Sequence, residues 1–137
     1  MKIKLFNANV PLPKKGKLPD SGIDLFMPTG FTINPLETKT IPLGIGVSIP
    51  EGHAGILIPR SSIAEKGLII QTSAIDPDYS GEIHLIITNC SSNKYVVNKG
   101  DRVCSLLIPS ILNPYIEVTT ELQSTYRHDS GLGSTGK

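Results

Sequence analysis

Thr38-Lys-Thr-Ile-Pro-Leu-Gly-Ile-Gly-Val-Ser-Ile49 places an apolar side chain at every second position from Ile41 onward. That period of two belongs to a strand with one buried face, not to a helix. Outward from it lie further short runs rich in β-branched residues, at 2–6, 23–27, 31–33, 40–49, 54–58, 68–71, 82–89, 95–98, 102–108 and 115–119. Thirteen glycines and eleven prolines separate them, leaving room for one short helix, predicted over 61–66. Many short strands at regular spacing predict an all-β sandwich, jelly roll or barrel. Lys14-Lys-Gly-Lys-Leu-Pro19 reads as a solvated basic loop. From Gln123 the chain is polar and rich in Gly, Ser and Thr. No repeat or linker divides it.

With 137 residues, 39% hydrophobic and 18% charged, the chain suits one globular domain. A formal net charge of +1 gives no bulk attraction to nucleic acid or membrane, so neither is expected as a partner. Any bound anion requires a local site. No run approaches the roughly 18–20 apolar residues of a membrane span, and the N-terminus lacks a signal-peptide pattern. Cys90 and Cys104 form no CxxC and read as reduced thiols. Together these predict a cytoplasmic or nuclear protein that is not secreted.

Five segments carry candidate chemistry. In Asp20-Ser-Gly-Ile-Asp24-Leu-Phe26 a carboxylate interrupts an apolar strand, so Asp24 must be paired or hydrogen-bonded. Pro59-Arg60-Ser61-Ser62 puts a cation and two hydroxyls at a strand-to-helix junction, suited to a phosphate; the alternative is Ser61 as a simple N-cap beside a solvated Arg60. Ala74-Ile75-Asp76-Pro-Asp78-Tyr79-Ser-Gly81 is a hairpin signal, and acids with a Tyr at its tip could also meet a ligand. Asp76 follows two apolar residues, which predicts shielding of one side, as a general base needs. The tail Gly131-Leu-Gly-Ser-Thr-Gly-Lys137 fits G-x-x-x-x-G-K, but no strand precedes it and no helix follows, so only an anion-binding nest of amides survives from the P-loop reading. Arg127 just before it could clamp a phosphate. His53, His84 and His128 have no metal-ligand spacing.

Taken in order, Ser21-Gly-Ile-Asp24-Leu, Pro59-Arg-Ser-Ser62, Ala74-Ile-Asp-Pro-Asp-Tyr-Ser-Gly81, Gly100-Asp-Arg102-Val-Cys-Ser105-Leu-Leu107 and Arg127-His-Asp-Ser-Gly-Leu-Gly-Ser-Thr-Gly136 closely resemble the five motifs of the homotrimeric dUTPase family. The resemblance implies a distorted jelly roll of the β-clip kind, assembled as a homotrimer with composite sites at subunit interfaces. It divides the chain into a β domain over 1–126 and a lid over 127–137 that orders on nucleotide. It implies Mg²⁺-dependent water attack on the α-phosphorus of dUTP, giving dUMP and pyrophosphate. Asp76 would activate the water. The backbone of Ser73, Ala74 and Ile75 would read the uracil edge, with His84 at a base-contacting position. Tyr79 would stack under the deoxyribose and exclude a 2′-hydroxyl. Arg60, Ser61, Ser62 and Ser105 would serve the phosphates, and Arg127, Gly133, Ser134 and Thr135 the γ end. Asp24 would sit near the metal's water shell or buttress the phosphate loop, with no direct protein ligand to the ion.

Three positions depart from the family pattern. Leu132 stands where a stacking aromatic is usual, which predicts weaker cover of the base. Ser105 replaces a Gln, so its hydroxyl reaches phosphate through water. Ser73 replaces a Gly and narrows the base pocket. These substitutions keep open a catalytically weakened nucleotide-binding or regulatory module, which pyrophosphate release from dUTP would separate from an enzyme. A dCTP deaminase shares the Arg-Ser-Ser and Ile-Asp-Pro elements but needs an acid where this chain has Ile86.

Overall fold

The computed structural model describes residues 1–17 and 19–123. Within that span the chain runs through β1 (Ile3–Leu5), β2 (Lys14–Lys15), β3 (Ile23–Phe26), β4 (Phe31–Ile33), β5 (Thr38–Pro42), β6 (Ile45–Val47), β7 (Gly55–Pro59), α1 (Ser61–Ala64), β8 (Leu68–Ile70), β9 (Ala74–Ile75), β10 (His84–Asn89), β11 (Tyr95–Val97) and β12 (Arg102–Leu107). The strands form four antiparallel sheets, ordered β1-β6, β5-β10-β8, β11-β4 and β2-β3-β12-β7-β9, the distorted jelly roll that the sequence led us to expect. Leu25, Leu57 and Leu106 from the five-stranded sheet are at most 3% exposed and join Leu85 and Ile87 of β10 in one core. Truncating such a leucine to alanine costs about 2–5 kcal/mol.

The stretch that announced the fold is two strands, not one. Gly44 sits at φ +70, a left-handed conformation that glycine adopts without strain, and the chain there leaves one sheet for another. A side chain at Gly44 would also run into Val10.

Four other expectations need correction. Lys14 and Lys15 are not a free loop: they pair with Asp24 and Ile23, adding an edge strand to the main sheet. The helix covers only Ser61–Ala64, with Arg60, not Ser61, at the N-cap and no side-chain cap bond. The predicted hairpin around 76–81 is a turn without a hairpin. Tyr79 N–H donates to the Asp76 carbonyl at 3.1 Å, but β9 pairs with β7 while β10 pairs with β5 and β8. Finally, 115–119 forms no strand, and Tyr115, Ile116 and Val118 are at least 85% exposed. A strand sequence needs a partner edge, and among the described residues none pairs with this one. The predicted lid, 127–137, lies outside the described residues, and with it Arg127, Leu132, Gly133, Ser134 and Thr135.

Candidate active site

Two clefts gather the predicted residues. The first is built on Asp24 in β3. Its cross-strand partner in β12 is Ser105, whose own partner in β7 is Ile58, so all three project from one face. A bulge in β12 then changes the phase. Arg102 pairs with Phe26 while Cys104 pairs with Leu25, leaving Val103 as an extra residue. The extra residue swings Arg102 onto the Asp24 face, where alternation alone would have pointed it with Cys104 into the core.

There Arg102 Nη1 donates to Asp24 Oδ2 at 3.0 Å, Ser105 Oγ donates to Oδ1 at 3.0 Å, and Arg60 Nε lies 3.7 Å from Oδ1. The expected pairing of Asp24 is met. Ser61 joins these residues with Gly16, Asp20, Gly22, Ile58 and Pro59 around a cleft of about 410 Å³. Ser62 turns to the other side of Arg60, into a neighbouring, strongly polar cleft with Lys66 and Asn98. Beneath Asp24, burial and the adjacent carboxylate push the Cys104 thiol up to about 12, so it stays protonated and inert.

The second cleft, about 220 Å³, lies where β9 and the following turn meet the start of β10. Ser73, Ala74, Ile75, Asp76, Tyr79 and His84 all line it, as the sequence grouped them. Leu57, Ile83 and Ile86 supply apolar wall. Position 86, where the deaminase reading of the sequence required an acid, thus lines this cleft with an apolar residue. Tyr79 Oη donates to the Glu82 carbonyl at 2.8 Å, and His84 Nδ1 lies 3.0 Å from the same oxygen. Asp76 itself is exposed, contrary to the expectation of a shielded side; only its neighbour Ile75 is buried.

Sequence reasoning missed two residues. Arg102 needed the bulge to be seen. Glu82 lines the second cleft beside Asp76, and its carboxylate accepts the Gly44 N–H at 2.7 Å.

The two clefts share no lining residue. Leu57 lines the Asp76 cleft and Ile58 the Asp24 cleft, and successive residues of a strand face opposite sides of its sheet. The two clefts therefore meet β7 at side chains that leave it on opposite sides. Among the described residues no cluster of His, Cys, Asp or Glu is disposed to cage a metal, and no helix is long and apolar enough to cross a membrane.

The dUTPase family model matches residues 8–136. The chain is 39% identical over 142 residues to the deoxyuridine 5′-triphosphate nucleotidohydrolase of Finegoldia magna, covering 99% of each. It is 36% identical to that of Corynebacterium glutamicum, over 100% of this chain and 95% of that one. Its fold superposes on the dUTPase of Staphylococcus bacteriophage 80alpha, solved with dUpNHpp, with a TM-score of 0.92 at 28% identity, covering 99% of this chain and 98% of that one.

Proposed function

The chain belongs to the dUTPase family, and on that premise we propose how its two clefts share the work of hydrolysing dUTP to dUMP and pyrophosphate. The Asp76 cleft takes uracil and deoxyribose. The backbone of Ser73, Ala74 and Ile75 offers amides and carbonyls to the uracil edge, beside His84. Tyr79 lies under the sugar and fills the space of a 2′-hydroxyl. Asp76, exposed at the cleft mouth, takes a proton from the water that attacks the α-phosphorus. The Asp24 cleft takes the triphosphate through Arg60, Ser61 and Ser105, with Ser62 serving it from the adjoining cleft on the other side of Arg60; their charge and hydroxyls act by positioning and stabilisation rather than covalently. Residues 127–137 close the site, with Arg127 and the groups at Gly133, Ser134 and Thr135 on the γ end and Leu132 over the base.

The observation that carries this division is the opposition of Leu57 and Ile58 on β7. A nucleotide spanning both clefts of one chain would have to pass around the edge of the sheet, which supports a site in which the base cleft of one copy meets the phosphate cleft of another. The exposed apolar side chains of Ile111, Leu112, Tyr115, Ile116, Val118 and Leu122 support an assembly in which this segment finds its partner, the homotrimer of the family.

Enzymes of this family depend on a divalent metal. Here both Asp24 oxygens are already engaged by Arg102, Ser105 and Arg60, and no protein cage exists among the described residues. The donor set fits an ion carried in by the triphosphate, with Asp24 reaching only its water shell. Mg²⁺, which dehydrates reluctantly, suits that arrangement and supplies charge neutralisation on the phosphates. Two thiols without a disulfide accord with a cytoplasmic or nuclear place of action, where the reaction would keep uracil out of DNA and supply dUMP.

Pyrophosphate release from dUTP with Mg²⁺ tests the activity; dUTP bound but not turned over would favour a regulatory module. Subunit mixing tests the composite site. Asp76→Asn and Arg60→Ala chains, each inactive alone, should regain activity when refolded together. No recovery from mixed trimers would place both clefts' work within one chain.

A further inference from the structure

We propose that Glu82 is a positioning residue for sugar selection, joining the turn at Gly44 to the ring of Tyr79. The inference rests on the dUTP-hydrolysing reading and on Tyr79 as the residue that refuses a 2′-hydroxyl. A ring can exclude one hydroxyl only if it is held in place. Tyr79 is 45% exposed, so core packing does not hold it.

What holds it is local. The ring lies so close over Gly81 that a Cβ there would sit 2.9 Å from Cε2 and closer still to the phenol end. Gly81 in turn rests on β6, since a Cβ at Gly46 would come within 2.7 Å of the Gly81 carbonyl oxygen. At the far end of the ring the hydroxyl donates to the Glu82 carbonyl at 2.8 Å. Where that carbonyl sits therefore decides where the ring sits.

Residues 82–83 are stitched to the 43–45 turn by three bonds. Leu43 N–H donates to the Ile83 carbonyl at 2.9 Å, and Ile83 N–H donates to the Ile45 carbonyl at 2.8 Å. The third runs from Gly44 N–H to Glu82 Oε1 at 2.7 Å and is the one made by a side chain. Gly44 presents its N–H this way at φ +70, where other residues are strained. Glu82 thus acts at both ends: its carboxylate grips the turn between two sheets, and its carbonyl receives the tyrosine. Without the carboxylate, the Gly44 N–H loses its acceptor and the 82–83 segment loses one of its three ties to the turn.

The test compares Glu82→Ala, Glu82→Gln and Tyr79→Phe by the ratio of kcat/KM for dUTP to kcat/KM for UTP. Glu82→Ala should lower that ratio by about tenfold, the scale of one charge-assisted hydrogen bond. Glu82→Gln keeps an oxygen for Gly44 and should restore most of the parental ratio, which a merely destabilising change would not explain. Tyr79→Phe should lower the ratio too, and adding Glu82→Ala to it should lower it little further. A parental ratio in Glu82→Ala, full additivity with Tyr79→Phe, or Glu82→Gln failing as badly as alanine would overturn the proposal. Should Glu82→Ala not fold, the other two variants decide: an unchanged ratio in Tyr79→Phe overturns it. A parent that does not hydrolyse dUTP at all would instead overturn the functional reading beneath it.

Discussion

Asp24 and Asp76 are both carboxylates of the proposed site, and they live under opposite conditions. Asp24 keeps a side chain only 15% exposed, with Arg102 and Ser105 donating to it at 3.0 Å and the Arg60 guanidinium lying 3.7 Å away. Asp76 is exposed and makes no ion pair among the described residues. Lone pairs committed to guanidinium and hydroxyl donors hold those donors in place, while a carboxylate left open at a cleft mouth is free to meet a water. The contrast teaches what the fold spends each acid on: Asp24 on organising its neighbours and, in the proposed mechanism, Asp76 on the attacking water.

The sharpest way to break this contrast is to remove each charge in turn. Asp76→Asn should cut turnover by about 10²- to 10⁴-fold with nucleotide binding largely intact, measured by single-turnover kinetics beside titration with a nonhydrolysable analogue. Near-normal turnover would mean the water is activated elsewhere. Asp24→Ala should do the reverse: it strands two guanidinium groups, so stability should fall by about 1–3 kcal/mol, less than for a fully buried pair because both arginines reach solvent. Urea unfolding checks this, and KM for dUTP should rise with it. Asp76→Asn should leave the unfolding midpoint unmoved.

A smaller effect is expected beneath Asp24. The Cys104 thiol is raised from an ordinary 9.0 to about 12 in the folded chain. The unfolded chain therefore ionises first, and the stability fully present below about pH 9 is lost progressively as pH climbs to about 12. Thermal unfolding from pH 8 to 11 should show a shallower alkaline decline in Cys104→Ala than in the parent. The smallest effect belongs to the other cleft, where Leu132→Phe should tighten nucleotide binding by about 0.5–1.5 kcal/mol if a ring then stacks on the base. Equal dissociation constants would show that residue 132 does not cover it.

The Asp76 cleft was legible almost residue by residue because Ser73 through Tyr79 lie within one short segment, and proximity in sequence forces proximity in space. The Asp24 cleft was legible only in half. That Asp24 must be paired follows from a charge inside an apolar strand, but naming Arg102 requires a cross-strand register and a bulge, which alternation cannot reveal. Lys14 and Lys15 looked like loop because their charge masks a pairing made entirely by backbone. The 115–119 run has a strand's side chains and no strand, since propensity states what a segment accepts and not whether an edge is available. Residues 40–49 kept their alternation through Gly44, so the period survived where the sheet did not. Glu82 went unnoticed because its acceptor role depends on a turn nearly forty residues upstream.

The bulge in β12 bears on how this chain can change in length. Val103, fully buried, is the residue that has no counterpart on β3, yet its carbonyl receives the Arg60 N–H at 3.2 Å. One surplus residue thus touches both arginines, Arg102 through phase and Arg60 through a backbone bond. Shortening the strand by deleting Val103 would bring the ladder back into simple alternation with Arg102 still opposite Phe26, while the Arg60 N–H would have to find a different carbonyl. No substitution at 103 separates the two in that way, because every amino acid brings the same carbonyl and the same count. Gaps and insertions, more than exchanges of side chain, are where relatives of this protein would be free to retune their grip on the anion.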